Sequence, residues 1–153
     1  MGRSDDYYEI QKLLYRYCYH LDRGDFERMA ALFAHARFIT PGGGAVERDP
    51  EAIVAMYRKY TRIYPDTGTP KTRHVVSNPI IDIEDDGRSA SCYSYIVVFQ
   101  ATDALLLQPV IAGGNRDRFV KVDGAWRYAE REIISELFGD LSQHMLVPFG
   151  PQP

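Results

Sequence analysis

Basic charge is in short supply. Eighteen Lys and Arg stand against 21 Asp and Glu, a formal net charge of -3 at pH 7. Nucleic-acid affinity rests on a basic excess that neutralises phosphates, so this balance argues against a nucleic-acid partner. Long apolar runs are also missing: none reaches the roughly 20 residues that a membrane helix needs, which argues against a bilayer span. The opening Met1-Gly2-Arg3-Ser4-Asp5-Asp6 has no apolar stretch of the kind a secretion signal carries, so a cytoplasmic location is expected. Cysteine is limited to Cys18 and Cys92, with no Cys-x-x-Cys pair, and both read as reduced core thiols. His20, His35, His74 and His144 are scattered without metal-ligand spacing, so no metal site is expected. Gly42-Gly43-Gly44 lacks the Lys and Ser/Thr of a phosphate loop, and neither Ser77 nor Ser135 sits in a Gly-x-Ser-x-Gly elbow. Nucleotide binding and serine-nucleophile hydrolysis are therefore disfavoured, and no cofactor is expected.

What is present is ordinary for one globular domain. The chain has 153 residues, 45% hydrophobic and 25% charged. At that length folding removes about 68–70% of the unfolded surface from water, so the core needs no disulfides. Eleven tyrosines against seven phenylalanines and one tryptophan point to an interior or pocket whose aromatic surface carries hydroxyls.

Ile10, Leu13, Leu14, Tyr17, Cys18 and Leu21 recur at helical spacing and predict a helix from Asp6 to Leu21 that stops at Gly24. Asp25 then caps a short helix with Phe26, Met29, Ala30 and Phe33 on one stripe. Pro41-Gly42-Gly43-Gly44 reads as a loop. Asp49-Pro50-Glu51 opens a third helix with Ile53, Met56, Tyr57 and Tyr60 on one side.

From Thr72 onward the period becomes strand-like, over Thr72–Val76, Ile80–Glu84, Ser89–Gln100, Leu105–Ile111, Arg116–Val122 and Ala125–Ile134. Asp86-Gly87 and Asp123-Gly124 are hairpin turn signals, so the reading is α+β with an antiparallel meander covered by helices on one face. Ser89–Gln100 is apolar on both sides, with Tyr93, Tyr95, Val97 and Phe99 opposite Cys92, Ile96 and Val98. One face is expected to pack on the helices and the other on a second subunit. The tail from Ser135 to Pro153, with Phe138, Leu141, Met145, Leu146 and Phe149, is too apolar to be a solvated extension and is expected to fold back across the body.

Two side chains suggest chemistry. Asp22 falls about 40° around the first helix from Cys18, at the rim of its buried stripe, and His74 stands inside the first predicted strand. If the fold brings them together, the carboxylate accepting Nδ1–H would fix the imidazole tautomer and leave Nε2 as a general base.

The run from Ile10 to Phe38, which includes Tyr17-Cys18-Tyr19-His20-Leu21-Asp22-Arg23-Gly24-Asp25-Phe26, resembles the opening of the SnoaL-like branch of the NTF2-like superfamily. So do His74-Val75-Val76-Ser77-Asn78-Pro79 and the closing Asp117-Arg118-Phe119 with Asp123-Gly124-Ala125-Trp126-Arg127. The resemblance lies toward members like scytalone dehydratase and bile-acid 7α-dehydratase. It implies a cone-shaped, cystatin-like α+β fold: a curved antiparallel sheet wrapped by N-terminal helices around a pocket, dimeric through the sheet. It further implies that His74 abstracts a proton while Asp22 orients it, and that Tyr17 hydrogen-bonds the substrate. Asn78, Glu130, Tyr15 and Trp126 are the candidate substrate-binding residues. A dehydrochlorinase member has a basic residue where Glu130 stands. The expected activity is that of a cofactor-independent lyase or isomerase on a hydrophobic cyclic small molecule. A non-catalytic ligand-binding or dioxygenase small-subunit-like assembly role and a polyketide cyclase are the alternatives.

Overall fold

The computed structural model describes residues 2–148; Phe149, assigned above to the tail, lies outside the described residues. Helix α1 spans Arg3–Asp22, α2 spans Phe26–Ala31 and α3 spans Pro50–Tyr60. Local chemistry sets their ends. Asp25 Oδ1 accepts Arg28 N–H at 3.1 Å and Asp49 Oδ1 accepts Ala52 N–H at 3.0 Å, each satisfying a first-turn donor. Pro50, which has no N–H to lose, occupies the first turn of α3. Gly24 joins α1 to α2 at φ +70, and a Cβ there would meet Gly68 O at 2.5 Å, so only glycine fits.

The strands are β1 (Arg37–Ile39), β2 (Ala45–Glu47), β3 (Thr72–Ile83), β4 (Ser89–Thr102), β5 (Leu105–Val122) and β6 (Ala125–Phe138). They form one sheet ordered β2-β1-β6-β5-β4-β3, antiparallel except where β1 runs parallel to β6. This is the expected α+β architecture, with N-terminal helices against a curved six-stranded sheet. Its strands are longer and fewer than the sequence pattern suggests. Thr72–Val76 and Ile80–Glu84 are two halves of β3, joined across a register shift in which Asn78 adopts φ +53. Leu105–Ile111 and Arg116–Val122 are likewise halves of β5. The two three-residue strands flanking the glycine loop are too short to show a period and were not expected. Further register shifts interrupt β4–β5 and β5–β6, and such bulges bend and twist the strands that carry them.

Helix α1 packs against β3 and β6 and is pinned at both ends by aspartates. Near its start the buried Asp6 accepts Lys121 Nζ at 2.6 Å and Trp126 Nε1 at 2.8 Å; both donors hold its carboxyl below the ordinary value. Near its end Asp22 is bound to β3. Between them Ile10, Leu14, Tyr17, Cys18 and Leu21 enter the core with Phe33, Phe38, Phe119 and Tyr128. Both cysteines are buried and free, and burial pushes each thiol up to about 12, so neither supplies a thiolate at neutral pH. On the opposite face of the sheet Tyr95 and Val75 remain 48% and 46% exposed.

The largest fully buried side chain is Arg131. Its Nε and Nη2 reach Asp117 Oδ1 and Oδ2, directly across the β5–β6 ladder, at 2.7 Å each. The guanidinium lies 4.1 Å from the Tyr17 ring centroid and 4.9 Å from that of Tyr128, whose hydroxyl accepts from Nη2 at 3.1 Å. Burial alone raises the Asp117 carboxyl, and the facing guanidinium opposes that rise. The guanidinium does not surrender its proton, and both Asp117 oxygens accept from it. Breaking such a buried pair leaves one uncompensated charge, which costs about 3–5 kcal/mol. Asp117→Asn and Arg131→Met should each lose stability of that order in urea unfolding. The double variant Asp117→Leu/Arg131→Met, with no buried charge, should be more stable than either single variant.

Candidate active site

An acid in the last turn of a helix opposes the macrodipole, so Asp22 needs compensating donors. The edge strand β3 supplies three. Asp22 Oδ1 accepts Thr72 Oγ1–H at 2.9 Å and pairs with His74 Nδ1 at 2.6 Å, while Oδ2 accepts the His74 backbone N–H at 2.9 Å. An edge strand has backbone donors that no neighbouring strand uses, and here the helix end takes one of them. Both the His74 and Asp22 side chains are 11% exposed. With Nδ1 committed to the carboxylate, Nε2 is the nitrogen left for a ligand.

His74 lines a cavity of about 790 Å³. Its walls are mostly apolar: Leu21 from α1, Met56 from α3, Ile96 and Val98 from β4, Ile111 from β5, and Ile133 and Phe138 from β6. Polar groups enter at a few places. Tyr17 and Tyr57 share a hydroxyl–hydroxyl bond of 2.9 Å, and burial pushes both phenols up, so both are neutral and one hydroxyl hydrogen remains free to donate outward. Asn115, 1% exposed, has neither amide atom hydrogen-bonded. His144, 6% exposed, has an unpartnered Nδ1. Among the described residues no three His, Cys, Asp or Glu side chains are grouped to hold a metal ion.

Of the residues singled out from sequence, His74, Asp22 and Tyr17 come together, and the other four lie elsewhere. Asn78 is exposed at the β3 bulge, where a left-handed backbone suits asparagine; its role there is conformational. Tyr15 is 50% exposed on α1. Trp126 spends its indole N–H on Asp6. Glu130 faces Arg37 at 3.9 Å across the β1–β6 pairing. The last displacement has a definite cause. Arg118 pairs with Glu130 but Phe119 with Tyr128, so Ala129 is an extra residue on β6 and the inward phase changes there. Arg131, not Glu130, turns inward, into its pair with Asp117.

Thr72, Tyr57, Asn115 and His144 are the site groups that sequence reasoning missed. Tyr57 was visible only as one member of a helix stripe. Asn115 fell in the gap left between the two predicted halves of β5. His144 was a lone histidine in a tail with no period.

His144 also carries a pH consequence. Burial, with a smaller contribution from neighbouring His74, lowers its imidazole to about 4, and Asp22 opposes this only in part. In an unfolded chain the ring titrates near its ordinary value of about 6.5. Between those values the unfolded state binds a proton that the folded state does not, so stability falls as pH drops from about 6.5 toward 4. Relative to His144→Gln, the wild-type protein should lose on the order of 3 kcal/mol across that window and nothing above it, as read from urea midpoints at each pH.

A model described as a SnoaL-like domain matches residues 2–132 of the chain. Among solved structures, a protein of unknown function from Mycobacterium tuberculosis, Rv3472, is 27% identical with a TM-score of 0.67, covering 89% of this chain and 77% of its own. A candidate scytalone dehydratase from Novosphingobium aromaticivorans is 27% identical with a TM-score of 0.66, covering 88% and 87%. The hexachlorocyclohexane dehydrochlorinase LinA type 2 shares the fold at 15% identity, with a TM-score of 0.69 and 99% and 95% coverage. A comparison with curated proteins gives no significant match. Helices feeding a curved sheet, a cavity between them and the family model over residues 2–132 agree: this chain belongs to the SnoaL-like domain family.

Proposed function

We propose that this protein is a cofactor-independent lyase acting on a largely apolar cyclic small molecule, with His74 as general base and Asp22 as its orienting partner. The observation that carries this reading is the 2.6 Å contact between Asp22 and His74 at the wall of an apolar cavity. The likeness to a candidate scytalone dehydratase supports water as the leaving group.

In the step proposed, His74 Nε2 takes a proton from a carbon beside the bond to be broken. The C–H electron pair becomes the new C=C bond as the electron pair of the neighbouring C–O bond leaves with oxygen. The proton on Nε2 passes to that oxygen and water departs. Imidazolium formed on the way is stabilised by Asp22, already in contact through Nδ1. The hydroxyl left free by the Tyr17–Tyr57 pair donates to the substrate oxygen that gains charge. The apolar walls exclude water from the reacting bond.

The same reading includes a homodimer formed through the outer face of β3 and β4, where Tyr95 and Val75 are left uncovered. An assembly role without catalysis finds less support, because a binding module has no need of a tautomer-fixed imidazole.

The test is turnover of β-hydroxy cyclic ketones, followed by loss of water in mass spectrometry and by exchange of the abstracted proton in D₂O. His74→Gln and Asp22→Asn should each lower kcat by about 10²–10⁴, the range for a positioned general base. Unchanged turnover in folded His74→Gln would remove the imidazole from the mechanism.

A further inference from the structure

Buried polar atoms without partners are rare in folded proteins, and each calls for an explanation. Two of the residues that carry such atoms, Asn115 and His144, line the cavity beside His74. Asn115 sits in the middle of the sheet, whereas His144 is brought to the cavity by the segment after β6, and that segment is fastened around it.

Leu146 N–H donates to Tyr60 O and Arg62 N–H to His144 O, both at 2.8 Å, on either side of an antiparallel bridge between Met145 and Thr61. On the preceding residue, Gln143 O accepts Tyr64 Oη–H at 2.7 Å and Gln100 Nε2–H at 3.0 Å. Gln100 is itself 1% exposed and also donates to Pro70 O. A single turn, with His144 N–H and Met145 N–H both reaching Leu141 O at 3.0 Å, completes the clasp. Four bonds to the body of the protein thus converge on residues 143, 144 and 146 and hold one imidazole at the cavity wall. If that ring merely filled space, an apolar side chain would do so without the desolvation cost of an unpaired nitrogen.

We propose that His144 is a substrate-contacting, specificity-determining residue, hydrogen-bonding a second oxygen function of the ligand at a point separate from the bond cleaved at His74. The inference rests on the lyase reading for the location of chemistry, and it narrows the substrate class. The ligand is a ring compound with at least two oxygen functions, one at the reacting centre and one, a hydroxyl or carbonyl, at His144. A halogenated hydrocarbon would leave both His144 and Asn115 unsatisfied. The groups facing His144 are His74 and Asp22, and its depressed basicity keeps it neutral while His74 cycles through imidazolium. A neutral imidazole offers one donor and one acceptor, so it can serve either kind of oxygen.

The test uses 1-naphthol and 1,5-naphthalenediol, which share a ring system and differ by one hydroxyl. Calorimetric titration of the wild-type protein should show the diol binding about tenfold tighter, the scale set by leaving a buried polar group unsatisfied. In His144→Leu that ratio should fall to near the statistical factor of two. His144→Asn, which restores a donor near the Nδ1 position, should recover part of it. In ¹⁵N-labelled protein the His144 ring nitrogens should shift on adding the diol and not on adding 1-naphthol, a readout that a structural role would leave still and that needs no variant to fold. An equal affinity of wild type for both compounds, a ratio unchanged in His144→Leu, or silent His144 nitrogens would each overturn the assignment. Failure of either compound to bind would overturn the ring-compound substrate class together with it. Loss of turnover in His74→Gln with an intact diol preference in His144→Leu would overturn only the His144 role.

Discussion

A single carboxylate, that of Asp22, joins the helical layer of this protein to the edge of its sheet. Its two oxygens accept from Thr72 Oγ1, from the His74 backbone and from the His74 ring, so the last turn of α1 is fixed against β3 by three bonds within one side chain. Because one of those bonds ends on the imidazole, the attachment of helix to strand and the orientation of the base are a single arrangement. The helix cannot shift along the strand without turning the ring, nor can the ring flip without losing a tether of the helix. Hydrogen bonds to an ionised acceptor are about twice as strong as neutral ones, which suits a contact that must serve both ends. Asp6 performs the structural half of this task alone at the other end of α1, where Lys121 and Trp126 hold it.

Much of this was legible before any coordinates. The helices announced themselves by period and caps, since Asp25, Asp49 and Pro50 act through neighbours three residues away or closer. Asp22 and His74 were legible too, because an acid at the rim of an apolar helix stripe and a histidine inside a strand are conspicuous singly. What escaped was everything that depends on counting across a bulge. Strand patterning assumes strict alternation, and one extra residue at Ala129 transfers the inward direction from Glu130 to Arg131. The same limitation left Asn115 unassigned beside Gly113 and Gly114, where β5 was read as interrupted, and made Asn78 look like a pocket residue when its backbone angle is what the fold uses. The backbone of His144 bonds Arg62 and Leu141, and its ring neighbours His74; none of these leaves a periodic trace in sequence.

The tyrosine excess divides into distinct populations once placed. Tyr17, Tyr57 and Tyr60 line the cavity, and Tyr128 sits beneath Arg131 with its hydroxyl engaged. Tyr7, Tyr8, Tyr15 and Tyr19 are 40–59% exposed along α1. Composition therefore pointed correctly to a hydroxyl-bearing aromatic interior while overstating how much of the tyrosine lies there. Around the buried guanidinium of Arg131, ring faces and one bidentate carboxylate stand in for part of the lost water, while Nη1 has no hydrogen-bond partner.

The adjacent glycines of β5 govern what can be changed in this molecule. A Cβ on Gly113 would lie 1.9 Å from Ile134 O, and one on Gly114 would lie 2.9 Å from both Ser94 O and Tyr93 Oη. Three strand backbones therefore crowd together at the point where β5 and β6 slip register, and the spacing of the sheet there is set by main chain. Diversification toward larger or smaller ligands is open at Ile96, Val98 and Ile133, whose side chains form the wall, and closed at 113, where the scaffold has no spare volume to trade.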